Sequence, residues 1–371
     1  MSDYRFKKVA VLGAGVMGAQ IAAHLANAGV PVILFDLPAE AADKNAVVGK
    51  ALANLGKLSP APLASKALVQ NIEPANYDEH LERLKGCDLI IEAIAERIDW
   101  KKSLYAKILP YVSSRAVLAS NTSGLSINAL SEVLDESLHH RFCGVHFFNP
   151  PRYMHLVELI PCAITDTAVL FALEAFLVST LGKGVVTAKD TPNFIANRIG
   201  VFSILSTLYH TDQFGMGFDE VDVLTGPLIG RPKSATYRTC DVVGLDTMGL
   251  TIKTMADTLP ADPWHPHFTV PDFLQTLIDA KALGQKTGAG IFKKVGKEIH
   301  VLDLASKQYR PSAGQVDPEV LVILKDRNPQ TKFRALRASA HPQAQFLWSC
   351  FRDLFHYCAY HLADIAASAR E

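Results

Sequence analysis

The sequence contains no long hydrophobic run, no excess of charge of one sign and no closely spaced cysteine pair. None of its apolar stretches approaches the roughly 20 residues that a membrane-spanning helix needs. Its 37 Lys and Arg residues balance 37 Asp and Glu residues, which argues against a nucleic-acid or membrane-surface partner recognised through bulk charge. The six cysteines are scattered, so we interpret them as reduced thiols rather than disulfides or metal ligands. These absences predict a soluble protein that acts on small molecules or other proteins.

The N-terminus also lacks the pattern of a secretory leader. Its first residues, MSDYRFKKVAVLGAG, pass directly into a strand pattern without a charged-then-apolar segment or a small-residue cleavage site. The predicted location is therefore the cytoplasm. The chain has 371 residues, of which 49% are hydrophobic, which is enough for two or three domains with sizeable cores.

The order of apolar patterns along the chain predicts the fold class. Up to about residue 188, short runs rich in β-branched residues alternate with longer helical patterns. This alternation predicts an α/β fold with a Rossmann-type, doubly wound, mostly parallel sheet. After the turn signal at Thr191–Pro192 the spacing becomes helical, which predicts an all-helical C-terminal domain. The predicted division is a Rossmann domain at 1–189, a helical domain at 190–295, and at 296–371 a linker with the start of a second, incomplete helical domain.

A glycine-rich turn follows the first predicted strand. The segment GAGVMG lies between the strand KKVAVL and a predicted helix, the context in which G-x-G-x-x-G binds the pyrophosphate of a dinucleotide. Asp36 ends the second strand, where its carboxylate can bind the adenosine ribose and would repel the 2′-phosphate of NADP. The sequence therefore predicts NAD as the cofactor. The predicted contacts in the turn are Gly13, Gly15, Val16, Met17 and Gly18.

Two titratable residues, His146 and Glu158, stand in apolar, strand-like runs. The segment FFNPPRYM, whose paired prolines favour a turn, joins the two runs. A buried ionisable group is costly unless it is paired, so we expect the carboxylate to bond to the imidazole. Such a carboxylate would fix the imidazole tautomer and stabilise the imidazolium. From the residues alone two interpretations stay open: a satisfied structural pair, or a general base with its partner.

Seven sequence blocks between residues 8 and 293 carry a family resemblance. They are VLGAGVMGAQIA, IIEAIAER, ASNTSGLSI, GVHFFNPPRYMHLVEL, DTPNFIANR, DVVGLD and GQKTGAGIF. In this order they resemble the L-3-hydroxyacyl-CoA dehydrogenases of fatty-acid β-oxidation. The resemblance implies NAD-dependent oxidation of (S)-3-hydroxyacyl-CoA to 3-oxoacyl-CoA, with His146 as the general base and Glu158 as its orienting partner. It also implies that Ser123 and Asn197 hydrogen-bond the reacting oxygen. Further cofactor or active-site contacts implied by it are Glu96, Lys101, Asn121, Asn149 and Lys286.

Two positions depart from the family pattern, and two other functions stay open. The family commonly has glycine at the position of Asn193 and a second serine at that of Gly124, which affects the predicted fit of the acyl chain. One alternative is a dehydrogenase of a free hydroxy acid such as a sugar acid. The other is a non-catalytic NAD-binding, crystallin-like protein, although packing alone would not require the four polar residues of the proposed site. The cluster WHPHF is read as a loop, and no metal site is predicted.

The end of the sequence is unusually apolar for a terminal helix. FLWSCFRDLFHYCAYHLADI places many large side chains in one helical stretch, and such a helix needs a partner surface. In the long members of the resembled family a similar segment opens a second helical domain, and a hydratase domain follows. We therefore predict a piece of a larger multifunctional protein with dehydrogenase but no enoyl-CoA hydratase activity. As isolated, it would be a monomer with the final helix folded onto 190–295, or a homodimer through the helical domain.

Overall fold

The computed structural model describes residues 4–370, which divide into two compact units. Unit 1 contains residues 4–195 and 362–370, and unit 2 contains Ala196–His361. Each unit has its own cluster of buried apolar side chains. Among the described residues, no helix combines the length and the apolar character that crossing a membrane requires. The three-domain division predicted from the sequence stays a prediction.

Unit 1 is built on an eight-stranded sheet with the spatial order β3-β2-β1-β4-β5-β6-β7-β8. Strands β1 to β6 run parallel, β7 is antiparallel to β6, and β8 is parallel to β7. This arrangement confirms the predicted doubly wound, mostly parallel sheet. The strands are β1 (Val9–Leu12), β2 (Val32–Asp36), β3 (Ile72–Asn76), β4 (Leu89–Glu92), β5 (Val117–Ser120), β6 (Phe142–Phe147), β7 (Leu156–Pro161) and β8 (Gly184–Thr187).

The helices of unit 1 pack on this sheet and bury mostly aliphatic side chains against it. Their bounds are α1 (Val16–Asn27), α2 (Ala46–Leu55), α3 (Ile98–Ile108), α4 (Ile127–Glu132), α5 (Glu136–His139) and α6 (Thr167–Ser179). The sequence pattern missed strand β3 because its segment IEPAN contains Pro74. Proline lacks the N–H that a central strand needs, and β3 tolerates it because it forms an edge of the sheet.

Unit 2 is mainly helical, as predicted, and also contains a small antiparallel sheet. Its helices are α7 (Ala196–Gln213), α8 (Phe218–Leu224), α9 (Tyr237–Val243), α10 (Leu245–Thr258), α11 (Asp272–Asp279), α12 (Pro318–Lys325), α13 (Pro329–Ala338) and α14 (Pro342–Ile365), whose last turn belongs to unit 1. The sheet has the order β11-β10-β9 and consists of β9 (Phe292–Val295), β10 (Glu298–Asp303) and β11 (Gln308–Pro311). These strands carry so many charged residues that their apolar alternation is weak, and the sequence analysis did not assign them.

The apolar helix α14 is covered within unit 2. The side chains of Phe346, Leu347 and Tyr357 are at most 1% exposed and lie in the same core as residues of α7 and α10. Complete burial of a large apolar side chain contributes about 1.5–3 kcal/mol, so this packing accounts for the composition of the helix. On its outer side, Phe355 and Tyr360 remain half exposed. The oligomeric state stays a prediction.

Candidate active site

His146 and Glu158 lie directly opposite each other on the antiparallel strands β6 and β7. The imidazole Nδ1 is 2.7 Å from the carboxylate Oε2, and the two residues are 4% and 0% exposed. The second carboxylate oxygen, Oε1, accepts the backbone N–H of Ile195 at 3.0 Å. Because Nδ1 is engaged by the carboxylate, Nε2 is the ring nitrogen that remains for contact with a bound molecule. The predicted pairing of the two residues is therefore present in the structure.

Aromatic rings form part of the surroundings of this pair. The ring centroid of Phe148 lies 4.4 Å from that of His146, and the ring of Phe194 lies at 5.8 Å. Apolar walls lower the local dielectric constant and strengthen the electrostatic interaction of the pair. Phe194 follows Asn193 in a turn where both residues have positive φ, 62° for Asn193 and 50° for Phe194. Asparagine tolerates this conformation better than most residues, which explains how it can stand where the resembled family commonly has glycine.

Ser123 lies on the loop that follows β5, and Glu96 fixes this loop. The Glu96 carboxylate accepts the backbone N–H of Ser123, its hydroxyl at 2.9 Å, and the hydroxyl of Thr122 at 2.7 Å. Strands β5 and β6 are parallel neighbours, so the loop after β5 leaves the same edge of the sheet as the residues after His146. Glu96 therefore sets the conformation of the loop that carries the predicted substrate contact.

A further buried carboxylate, Glu92, lies at the end of β4, within the block IIEAIAER and without a role predicted from the sequence. Its Oε1 is 2.6 Å from the Lys101 ammonium, and its Oε2 accepts the hydroxyls of Tyr105 at 2.9 Å and Ser120 at 2.7 Å. Both Glu92 and Lys101 are fully buried, and the ammonium also lies 3.9 Å from Glu96. A buried pair of this kind is stable only when its remaining hydrogen bonds are satisfied. Lys101 thus holds two carboxylates at this edge, and its contact with a cofactor stays a prediction.

The glycine-rich turn has the shape that a dinucleotide needs. A Cβ on Gly13 would lie 2.8 Å from the Ala93 carbonyl oxygen, and one on Gly18 would lie 1.8 Å from the Gly13 carbonyl oxygen. A Cβ on Gly15 would meet nothing within 4 Å. The packing of the protein therefore requires glycine at the first and third positions, whereas at Gly15 the absence of a side chain leaves open space at the start of α1. That space fits a pyrophosphate approaching the backbone.

A cavity of about 510 Å³ adjoins this turn and is lined by Gly15, Asp36, Leu37 and Trp100, among others. The Asp36 carboxylate accepts the backbone N–H of Ala14 at 2.5 Å and that of Leu37 at 2.7 Å, and so it is oriented at the end of β2. Leu37 and Trp100 are each more than half exposed. Apolar surfaces beside an oriented carboxylate suit the adenine and the ribose of a dinucleotide.

The two predicted asparagine contacts hold the segment around β6. Asn121 accepts the backbone N–H of Phe147 at 2.9 Å through its Oδ1 atom, which fixes the residue next to the histidine. Asn149 accepts the amide of Gln20 at 3.1 Å and thereby connects the residues after β6 to helix α1. Their contacts with a cofactor, like those of Val16 and Met17 at the start of α1, stay predictions.

Lys183 is a further residue of this region. Its ammonium donates to the carbonyl oxygens of Pro151 and of Met154, the latter at 2.9 Å, in the connection between β6 and β7. Burial lowers the pKa of the Lys183 ammonium to about 8. The lysine therefore fixes the chain between the histidine and the glutamate. The sequence offered no signal for it, because a single lysine between two glycines is typical of a surface turn.

Two predicted site residues belong to unit 2. Asn197 lies in the first turn of α7 and is partly buried. Lys286 is half exposed, and its ammonium is 2.6 and 2.7 Å from the two carboxylate oxygens of Asp246. This ion pair holds the ammonium close to the first turn of α10. Among residues 4–370, no group of three or more His, Cys, Asp or Glu side chains is arranged to hold a metal ion.

Comparison with protein families gives two matches that follow each other along the chain. Residues 8–191 match the 3-hydroxyacyl-CoA dehydrogenase NAD binding domain, and residues 194–294 match the C-terminal domain of the same enzymes. The match to the NAD binding domain identifies NAD as the cofactor of the first domain. Together the two matches include every predicted site residue.

Individual relatives agree with these matches. A probable 3-hydroxyacyl-CoA dehydrogenase from Bacillus subtilis is 39% identical over 97% of this chain and 47% of its own length. A probable 3-hydroxyacyl-CoA dehydrogenase from Deinococcus radiodurans is 42% identical over 79% of this chain and 84% of its own length. A putative fatty acid oxidation complex trifunctional enzyme from Rickettsia felis is 37% identical over 81% of this chain and 43% of its own length. The chain thus spans about half the length of the first and third relatives.

A solved structure shows the same fold. The crystal structure of a (S)-3-hydroxybutyryl-CoA dehydrogenase from Ralstonia eutropha superposes with a TM-score of 0.62 at 32% identity. The superposition covers 77% of this chain and 98% of the other.

Proposed function

This chain belongs to the 3-hydroxyacyl-CoA dehydrogenase family, and we propose that it oxidises (S)-3-hydroxyacyl-CoA thioesters to 3-oxoacyl-CoA in fatty-acid β-oxidation. The observation that supports this most directly is the buried pair of His146 and Glu158, whose Nδ1 and Oε2 atoms are 2.7 Å apart on the neighbouring strands β6 and β7 of the NAD-binding sheet. A carboxylate and an imidazole in that arrangement form a general base with a fixed tautomer. We propose the cytoplasm as the location.

The proposed mechanism begins with proton transfer to His146. Its Nε2 takes the proton of the substrate's 3-hydroxyl, and Glu158 stabilises the imidazolium that forms. Bound NAD supplies the acceptor for the hydride that leaves C3. Ser123, on the loop that Glu96 holds through the Ser123 backbone N–H, would turn its hydroxyl from Glu96 to donate to the 3-oxygen as it becomes a carbonyl. Asn197 would donate to the same oxygen, and the two donors would position it and stabilise the charge that develops there. In the reverse direction the imidazolium returns the proton to that oxygen.

The first experiment is the reduction of acetoacetyl-CoA by NADH, followed by the loss of NADH absorbance. We expect turnover with acetoacetyl-CoA and none with free 3-oxo acids of the same chain length. Turnover of free hydroxy acids without turnover of the CoA thioesters would instead favour the sugar-acid alternative. NADH binding without turnover of either class would favour the non-catalytic alternative.

We expect a preference for NAD over NADP of at least about tenfold in kcat/KM. The Asp36 carboxylate lines the cavity beside the glycine-rich turn, where it can bind the ribose hydroxyls and would repel a 2′-phosphate. The loss of one polar contact together with this repulsion exceeds about 1.4 kcal/mol, which is a factor of ten. Steady-state rates with the two cofactors test this. Equal kcat/KM values for NAD and NADP would contradict the assignment of Asp36. The control variant Asp43→Asn removes an exposed acidic residue elsewhere and should keep the preference for NAD.

We also propose that the whole protein is multifunctional, with this dehydrogenase fused to a hydratase domain. The alternative is a homodimer that pairs through unit 2. The purified 371-residue chain should therefore reduce acetoacetyl-CoA but not hydrate crotonyl-CoA. Outside the matched residues 8–294, the described chain contributes two strands and three helices, α12 to α14, and α14 lies in the core of unit 2. Helices α12 and α13 also contribute buried side chains to the core of unit 2, so these elements complete that unit and do not form a second acid/base domain. Measurable hydration of crotonyl-CoA by the purified chain would refute this prediction.

A further inference from the structure

We propose that helix α14 positions the side chain of Asn197 through Arg198, so that Tyr357 and His361 act as positioning residues of the reaction. The proposal rests on the function proposed above, because it takes Asn197 as a substrate contact. It concerns unit 2 alone, which contains Asn197, Arg198, Tyr357 and His361. Tyr357 and His361 lie beyond residue 294, where the matched C-terminal domain ends.

The Arg198 guanidinium is buried and is held by three side chains. Its Nε donates to the Tyr357 hydroxyl at 3.0 Å, and its Nη2 donates to the Asp262 carboxylate at 2.9 Å. The same Nη2 lies 3.2 Å from Nδ1 of His361. The planar fork of an arginine side chain fixes direction as well as distance when it binds several acceptors. Arg198 therefore has one well-defined orientation.

Two partners of Arg198 are also bonded to each other, since Asp262 Oδ2 accepts the Tyr357 hydroxyl at 3.0 Å. Nε2 of His361 lies 3.1 Å from the same oxygen, at ion-pair distance but without hydrogen-bond geometry. Burial raises the pKa of the Tyr357 hydroxyl, so the phenol keeps its proton and can donate it to the carboxylate. Arg198 and its three partners, Asp262, Tyr357 and His361, are at most 7% exposed. In such low-dielectric surroundings a broken bond leaves a buried charge unpaired, which makes the cluster rigid.

Helix α14 contacts the next turn of α7 as well. The Tyr357 ring stacks on Phe202, with ring centroids 3.8 Å apart and planes at 12°. Phe202 lies four residues after Arg198 and therefore on the same face of α7. The ring of Trp264 packs edge-on against both rings. Tyr357 thus holds two successive turns of α7, one through its hydroxyl and one through its ring.

Asn197 is the residue before Arg198 in the first turn of α7. The first turn of a helix has no intrahelical acceptors for its N–H groups and frays easily. Anchoring Arg198 from outside the turn fixes the rotation of that turn about the helix axis, and with it the direction of the Asn197 side chain. A displacement of about 1 Å at a reacting group can lower the rate by as much as 10²-fold, so a looser turn should appear as a lower kcat.

Tyr357→Phe is the decisive variant because it keeps the stacked ring and removes only the hydroxyl. We expect kcat to fall about tenfold while KM for NAD stays within about twofold of the wild-type value. Tyr360→Phe is the matched control, since Tyr360 lies on the same helix, is half exposed and packs on Trp264 through its ring. We expect the control to keep wild-type kcat. A lower melting temperature with unchanged kcat for Tyr357→Phe would show a purely structural contact and overturn the proposal.

A double-mutant cycle with Asn197→Ala tests whether Tyr357 acts through Asn197. We expect Asn197→Ala to lower kcat by more than tenfold, and Tyr357→Phe to lower it by less than twofold further in that background. Additive losses would overturn the proposal, because the tyrosine would then act elsewhere. Wild-type kcat for Asn197→Ala would instead refute the substrate contact of Asn197 in the proposed function, and this inference with it, while leaving the histidine base to its own test.

Two variants of His361 provide a second measurement if Tyr357→Phe does not fold. His361→Gln keeps a side-chain acceptor for the Arg198 guanidinium, and we expect at least half of the wild-type kcat. His361→Leu removes the acceptor, and we expect the same tenfold loss as for the tyrosine variant. Equal kcat for the glutamine and leucine variants would contradict a positioning effect. Circular dichroism and the melting temperature of each variant show that the comparison is made between folded proteins.

Discussion

Replacing His146 by glutamine is expected to lower kcat by about 10²–10⁴-fold while NAD affinity remains nearly unchanged. Glutamine has no group that can take a proton at neutral pH, and general-base catalysis typically contributes a factor of this size. The proposed cofactor contacts, the glycine-rich turn and Asp36, make no hydrogen bond to the imidazole. The loss should therefore fall on kcat and kcat/KM together. Steady-state kinetics with acetoacetyl-CoA measure kcat and kcat/KM, and separate binding titrations with NAD and with NADH measure the cofactor affinity.

His155→Gln is the matched control for this variant. His155 lies in the same connection between β6 and β7 and is exposed, so the same change of side chain should leave turnover close to wild type. If His146→Gln kept near-wild-type kcat, the base assignment would be wrong, and the pair would be structural. A loss of NADH binding as large as the loss of kcat would indicate that the substitution had disrupted the site as a whole.

Replacing Glu158 by glutamine is expected to lower kcat by a similar order, for two reasons. The amide carries no charge and cannot stabilise the imidazolium. In addition, both carboxylate oxygens accept hydrogen bonds in the structure, one from His146 and one from the Ile195 N–H. Glutamine has one acceptor oxygen, so its NH₂ group must face one of these two donors. Either the imidazole loses its fixed tautomer or a buried backbone N–H loses its acceptor.

Steady-state kinetics with acetoacetyl-CoA measure this loss of kcat. Glu132→Gln, at an exposed position at the end of α4, is the control and should leave kcat unchanged. Wild-type turnover of Glu158→Gln would show that the carboxylate satisfies the histidine without assisting it, the structural interpretation that the sequence left open.

Local sequence patterns predicted the elements of unit 1 well where one physical signal dominated. The β-branched runs around Val9–Leu12 and Val32–Asp36 form central parallel strands, because strands buried on both faces require continuous apolar runs. Strand β3 and the sheet of β9 to β11 escaped prediction, because Pro74 and the many charged side chains weaken that signal at a sheet edge and in a small sheet. An apolar run therefore predicts a strand reliably where the strand is completely buried, and less reliably as the exposure of the strand increases.

The sequence by itself determined the glycine-rich turn with its acidic partner, the family, and the presence of a histidine and a glutamate in two adjacent apolar runs. Only the tertiary structure decided that His146 and Glu158 lie in register, since a shift of one residue would have put the two side chains on opposite faces of the sheet. It also decided that Lys101 pairs with Glu92 and that Arg198 bonds to Tyr357, 159 residues further along the chain. Spacing along a chain predicts contacts within a turn or a strand, because their geometry repeats every two or 3.6 residues. Contacts between distant residues depend on how whole elements pack, and no local period encodes them.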